Sequence, residues 1–203
     1  MTLTGYLTLI GLQALIAMSP GPAGVLTLQI AAASGLRAGL ALATGLAVAI
    51  VLWAAAALTG LSLLFEVAPT AQTTLRLIGA AFLIWMGVAL WRGADMPLAR
   101  TTAPVGRAPH RLVAVGLATN LANPKALAYF AAVFAGLVPA DPSWGTALAI
   151  LGVVFAVEFA WYAVIALVFS RPAPQRAYAR LKGRADRIFG AAVVALGARI
   201  AVP

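Results

Sequence analysis

Six apolar runs, near 5–33, 39–65, 74–91, 113–137, 146–169 and 187–202, take up most of this 203-residue chain. A membrane span needs about 20 largely apolar residues. The runs therefore predict six transmembrane helices and an all-α fold. Composition removes the soluble alternative. Charged residues make up 9% and apolar ones 63%, where a soluble domain carries roughly 25% charged residues. Too few polar side chains remain to cover a water-facing surface, and a disordered chain is excluded on the same ground. The sixth run is short, spanning about 24 Å against a core of roughly 30 Å. Arg187 and Arg199 stand near its ends and can snorkel to cover the deficit. No charged side chain precedes Arg37. Without the basic flank of a secretory signal, the first run reads as a retained helix, despite the small residues Ala31-Ala32-Ala33-Ser34. Cysteine is absent, which excludes a disulfide scaffold and a thiolate metal site.

The cations set the expected topology. Arg37 follows the first run; Arg92, Arg100, Arg107 and Arg111 follow the third; Arg171, Arg176, Arg180, Lys182 and Arg184 follow the fifth, with Arg187 at the helix edge. The opposite side has only Arg76, with Glu66 and Asp141. By the positive-inside rule the basic loops at 92–112 and 170–187 are cytoplasmic and both termini lie outside. The net charge of +9 then reads as topology and contact with anionic lipid. It does not point to nucleic acid. The stretch from Arg171 to Arg187 reads either as an amphipathic surface helix or as a solvated loop. Trp91 and Trp144 suit the interfacial aromatic belt, and the other tryptophans need no further role. Gly35 and Gly39 have the spacing of close helix packing.

Two spans are interrupted. Ser19-Pro20-Gly21-Pro22 lies in the first, and Asn120-Leu121-Ala122-Asn123-Pro124-Lys125 in the fourth. Proline removes a backbone donor and clashes with the preceding turn. Non-helical backbone at membrane depth is tolerated only where it is buried in protein or lines a cavity. Each break falls near mid-membrane, in the first span of a three-span half. Three is odd, so the second half enters from the opposite side. That arithmetic predicts inverted repeats at 1–91 and 113–203, joined by the loop 92–112 in a single transmembrane domain, with a substrate site at their interface. The plainer alternative is two unrelated prolines.

Lys125 and Glu158 are the two ionisable side chains expected deep in the spans. An unpaired charge there costs about 2.5–3.5 kcal/mol even on a lenient scale, so each should face the interior and find a partner. Tyr129 lies one turn after Lys125, and Trp161 and Tyr162 lie one turn after Glu158, on the same faces. The candidate site is therefore Ser19, Pro20, Gly21, Pro22, Asn120, Asn123, Pro124, Lys125, Tyr129, Glu158, Trp161 and Tyr162. A structural ion pair pinning the fourth span to the fifth is the other reading. His110 sits in a basic loop and reads as solvated. No His/Asp cluster suggests a metal, no Ser–His pair falls within the spans, and Gly-x-x-x-x-Gly-Lys-Ser/Thr is absent. Neither an enzyme nor an ATP-driven machine is expected, and no cofactor.

Three stretches carry a resemblance: Ser19-Pro20-Gly21-Pro22, Leu77 through Gly87 (LIGAAFLIWMG), and Asn120 through Ala126 (NLANPKA), with Arg187-Ile188-Phe189-Gly190 at the last span. In this order the chain resembles the LysE/RhtB family of amino-acid exporters along nearly its whole length. The resemblance implies six-span efflux of amino acids or close relatives across the bacterial inner membrane, in exchange for protons. It carries over Pro20, Gly21 and Pro22, then Asn120, Asn123, Pro124 and Lys125. Glu158 takes the place of a fifth-span carboxylate that is often aspartate. Ala23 departs from the pattern, since many members have asparagine there.

A secondary exporter working by alternating access, one three-span half moving against the other, is thus the leading expectation. A channel and a non-transporting structural subunit are the alternatives; counterflow separates the first, and the consequence of replacing Lys125 or Glu158 separates the second. One interior carboxylate faces one interior lysine. A zwitterion leaves that site balanced, whereas a basic substrate brings a cation with no second acid. The count favours a small neutral amino acid of the threonine, homoserine or branched-chain type. Glu158 is the expected proton-coupling group. Substrate, protons and lipid are the expected partners, and a homo-oligomer is left open.

Overall fold

A computed structural model describes residues 1–67, 70–96, 107–138 and 142–202. Arg100, Asp141 and the middle of the basic loop at 92–112 lie outside these residues. The described residues form seven α-helices and no strand: α1 (Leu3–Met18), α2 (Pro22–Val67), α3 (Thr70–Arg92), α4 (Pro109–Leu121), α5 (Pro124–Leu137), α6 (Trp144–Phe169) and α7 (Pro172–Ala201). Local sequence sets the ends. The Thr2 side chain accepts from the Gly5 amide to open α1, and Ser143 does the same for α6 with Thr146. Prolines open α2, α4, α5 and α7, where the missing N–H would have had no helical partner.

α1 stops at Met18 because Ser19 is extended and Pro20 and Pro22 follow. α4 stops at Leu121, and α5 restarts after the extended Asn123. The first and fourth apolar runs are therefore each two helices in series. α2 contains a second discontinuity at Gly35, whose φ of 82° and ψ of 180° suit glycine alone. Helix α2 turns there, so its first part completes the first run and its remainder is the second. Gly35 is thus a corner and not a packing residue; a Cβ on it would meet nothing within 4 Å. Gly39 does pack, against Ala31 and Ala166. α7 also differs from expectation. It begins at Pro172 and runs unbroken to Ala201, so the basic stretch after Arg171 is the opening of the last helix and not a loop.

Two segments, Pro22–Gly60 and Trp144–Phe169, are long and apolar enough to cross a membrane on their own; Leu3–Met18 and Leu77–Arg92 are shorter apolar stretches. Leu7, Ile78, Trp85, Leu148, Val164, Leu167 and Ile188 are exposed along the outside. Trp91 and Trp144 are exposed near helix ends, as a belt residue should be.

The packing sorts the helices into two groups that cut across the sequence halves. α2 packs chiefly on α6 and α4, with α1 against α6; α3 packs chiefly on α7 and α5. Small residues set these seams. A Cβ on Gly45 would strike the α4 backbone at Val113, and one on Gly116 the α2 backbone at Leu42. Gly87 and Gly190 bring α3 and α7 equally close, and a Cβ on Gly79 would lie 2.6 Å from the Ala132 Cβ on α5. Such approaches give dense packing where lipid supplies no hydrophobic drive. The first group (α1, α2, α4, α6) and the second (α3, α5, α7) each draw helices from both ends of the chain. The packed groups thus run across the expected halves, residues 1–91 and 113–203.

Candidate functional site

The α1–α2 break exposes carbonyls that have lost their helical partners, and the α4–α5 break supplies the cation that meets them. Lys125 Nζ donates to Ile16 O at 2.9 Å, Ser19 O at 3.2 Å and Ser19 Oγ at 3.1 Å. Ser19 Oγ in turn donates to Ile16 O at 2.8 Å. An ammonium has three donors, and all are placed. A cation at a helix C-terminus also suits the helix dipole. Gly21 borders this approach: a Cβ there would lie in ordinary contact with Nζ, at 3.5 Å. Lys125 belongs to α5 and its acceptors to α1 and the α1–α2 break, so these bonds cross between the two packed groups.

Glu158, on α6, is also buried but is held by neutral groups. Its Oε2 accepts from Gln13 Nε2 at 2.9 Å and its Oε1 from Asn120 Nδ2 at 3.1 Å. Asn120 ties four elements together. Its Nδ2 also donates to Leu46 O at 3.0 Å, its Oδ1 accepts from Asn123 Nδ2 at 3.3 Å, and its backbone oxygen accepts from Trp53 Nε1 at 3.3 Å. Trp53 therefore does more than fill an apolar helix: it satisfies a carbonyl freed by the α4–α5 break. Asn123 caps α5 through Oδ1, which accepts from the Lys125 amide at 3.0 Å. Among the described residues no ion pair joins Lys125 to Glu158; the two charges act on each other through space. The Glu158 charge also reaches Tyr129 and Tyr162, both almost wholly buried.

A cavity of about 300 Å³ opens beside the first break. Ser19, Pro20, Gly21 and Gly24 form one end, Trp161 and Val164 one wall, and Ala185 and Phe189 of α7 the other. It lies between the two packed groups, and it shares Ser19 and Gly21 with the Lys125 cluster. Its size is at the lower end for small-ligand sites, which run to about 300–1,000 Å³.

Residues 14–203 match the model of the LysE type translocator family. The chain belongs to that family. Threonine efflux protein of Escherichia coli K12 is 30% identical over 97% of both chains. Threonine efflux protein of Salmonella typhi is 31% identical over 91% of each. Homoserine/homoserine lactone efflux protein of Salmonella typhimurium is 33% identical, covering 92% of this chain and 91% of its own. No solved structure matches.

In this LysE type translocator the expected site residues fall into four sets. Ser19, Gly21, Asn120, Asn123, Lys125 and Glu158 lie in or against the buried polar network. Pro20 and Trp161 line the cavity instead, with Ser19 and Gly21 in both places. Pro22 and Pro124 act through the backbone by opening α2 and α5, and Pro22 is exposed. Tyr129 and Tyr162 are buried near Glu158.

Sequence reading missed Gln13, which is fully buried and binds Glu158 directly. The available signal was its polarity: a glutamine within an otherwise apolar half-helix. It also misjudged Arg187, whose guanidinium is taken by Asp95 at 2.8 and 2.7 Å instead of snorkelling to lipid. That pair ties the middle of α7 to the turn after α3, as does Lys182, which donates to Gly93 O at 3.4 Å and pairs with Asp186 within α7.

Proposed function

We propose that this chain exports a small neutral amino acid from the cytoplasm across the bacterial inner membrane, by proton antiport. The family and the threonine and homoserine efflux proteins to which the chain is similar support amino-acid efflux. The observation that carries the finer reading is the buried Lys125 and Glu158 constellation beside two broken helices and a cavity. One carboxylate is set against one lysine, a balance that a zwitterion preserves. A basic amino acid would add a cation that no second acid meets, at a cost of about 2.5–3.5 kcal/mol. Glu158, held by two neutral amides, is the group suited to take up and release a proton without losing its place.

Six spans in two inverted repeats remain the architecture proposed. Counting α1 with the first part of α2, and α4 with α5, restores one broken span at the head of each half. A short internal likeness supports the pairing: Arg76-Leu77-Ile78-Gly79-Ala80-Ala81 in α3 and Arg187-Ile188-Phe189-Gly190-Ala191-Ala192 in α7. Alternating access in this reading works at the seam between the two packed groups, with the cavity as the cytoplasmic entrance, since it runs toward the basic opening of α7. Both termini are then outside. A cysteine placed at residue 2 labels with an impermeant reagent in intact spheroplasts and one at residue 104 does not; the reverse pattern refutes this orientation.

Efflux of a panel of labelled amino acids from cells expressing the chain tests the function. Threonine, homoserine or a branched-chain amino acid leaves fastest if the reading holds, and preferred export of lysine or arginine sinks it. The variant Glu158→Gln abolishes the response of efflux to an imposed pH gradient, while any exchange it retains no longer depends on that gradient. An unaltered response to the gradient removes Glu158 from coupling.

A further inference from the structure

Gln13 donates Nε2 to Glu158, which fixes the amide and leaves Oε1 without that partner. That oxygen is buried with no hydrogen-bond partner. The Tyr129 hydroxyl is buried and unpartnered as well, one turn beyond Lys125 on α5, and Tyr129 packs in one buried cluster with Leu9 and Ile16 of α1 and Val154 of α6, each a turn from Gln13 or Glu158 on the same face. Buried polar atoms without partners are uncommon and need a reason. Glu158 itself accepts one hydrogen bond on each oxygen, which leaves lone pairs over. What gathers here is a set of acceptors: a carboxylate, an amide oxygen and a phenolic oxygen. The protein's own nearby cation does not serve them, because Lys125 has all three donors on Ile16 and Ser19.

We propose that Gln13 Oε1, Tyr129 Oη and the Glu158 carboxylate form a cradle for a primary ammonium, the α-amino group of the exported amino acid. The inference rests on the exporter reading and deepens it. Three acceptors match the three N–H donors of a primary ammonium. A carboxylate within the set favours a cation over a neutral hydroxyl. Ala17, one turn after Gln13, lines the cavity together with Ser19. Gln13 therefore stands about one turn, roughly 6 Å along α1, from the cavity lining at Ala17. Residues of three different helices, α1, α5 and α6, close the cradle, and α5 belongs to the other packed group. Binding an ammonium there would draw the seam together.

Counterflow of labelled threonine into proteoliposomes tests this, with KM and maximal rate read separately. Tyr129→Phe deletes one acceptor, keeps the ring and touches no hydrogen bond of Glu158. It raises the KM about tenfold or more, as loss of a hydrogen bond to a charged group should, with thermal unfolding in detergent unchanged. Gln13→Met raises it at least as far, since it also frees Glu158. In wild type, excess N-acetylthreonine, which lacks the ammonium, leaves threonine counterflow unaffected. A wild-type KM in Tyr129→Phe overturns the cradle, and so does inhibition by N-acetylthreonine comparable with that by unlabelled threonine. Either result leaves the exporter reading standing. Absence of wild-type counterflow with every amino acid of the panel defeats the exporter reading itself.

Discussion

The two helix breaks differ in what they leave unsatisfied. At the α4–α5 break the chain repairs itself: Asn123 caps α5, and the Asn120 carbonyl takes both the Asn123 amide and Trp53. At the α1–α2 break the local bond from Ser19 Oγ to Ile16 O is joined by repair from elsewhere, because the Ile16 and Ser19 carbonyls are met by Lys125 of the other break. One break supplies acceptors and the other supplies the cation. Their surroundings differ in the same sense. The first borders an open cavity between α6 and α7. Beyond the second, α5 lies tight on α3, with Gly79 against Ala128 and Ala132. Similar interruptions in sequence thus produce one closed seam and one open one. An alternating-access protein in a single state is expected to display that asymmetry.

Removing the bridge between the breaks has the largest expected effect. Lys125→Met leaves the α1 carbonyls without their cation and Glu158 without a compensating charge. Breaking a buried charged network typically costs about 3–5 kcal/mol. Export falls at least a hundredfold and the melting temperature in detergent drops, whereas a variant with wild-type export makes the bridge dispensable.

The open and closed seams separate next. Gly24 lines the cavity, and a Cβ on it meets nothing within 4 Å. Gly24→Phe fills the cavity, lowering export about tenfold or more with the melting temperature retained. Gly79→Val forces a side chain into the α3–α5 contact, where overpacking costs about 1–3 kcal/mol. It lowers stability first. Equal melting temperatures for the two variants contradict the asymmetry. The smallest effect is expected at the self-repaired break. Asn123→Ala loses the α5 cap, worth about 1 kcal/mol, and shifts thermal unfolding by a few degrees; a shift as large as that of Lys125→Met means the second break depends on its cap as much as the first depends on its cation.

Much of this was legible because proline and buried charge leave few options in lipid. Pro20, Pro22 and Pro124 had to interrupt helices, and Lys125 and Glu158 had to turn inward. Their partners were not legible. The obvious pairing was with each other, but backbone carbonyls freed by a break compete for the lysine, and no residue letter announces a carbonyl. Gln13 carries no charge and so drew no attention, although burying its amide demands a partner as firmly. The helix grouping was hidden for another reason. Hydropathy marks spans but not neighbours, and seams set by Gly45 against Gly116 or Gly87 against Gly190 look like any glycine in an alanine-rich chain. Gly35 had the spacing of a packing motif, and only its positive φ reveals a corner.

Counterflow in proteoliposomes tests the central claim most directly, that the breaks enclose an amino-acid site reached from one side at a time. Vesicles preloaded with unlabelled threonine, homoserine or leucine are diluted into trace label of the same amino acid. For at least one of these, the account predicts transient accumulation of label above the external concentration, lost in Lys125→Met. Equilibration without overshoot, at a rate indifferent to the preload, would mean a channel and would contradict it.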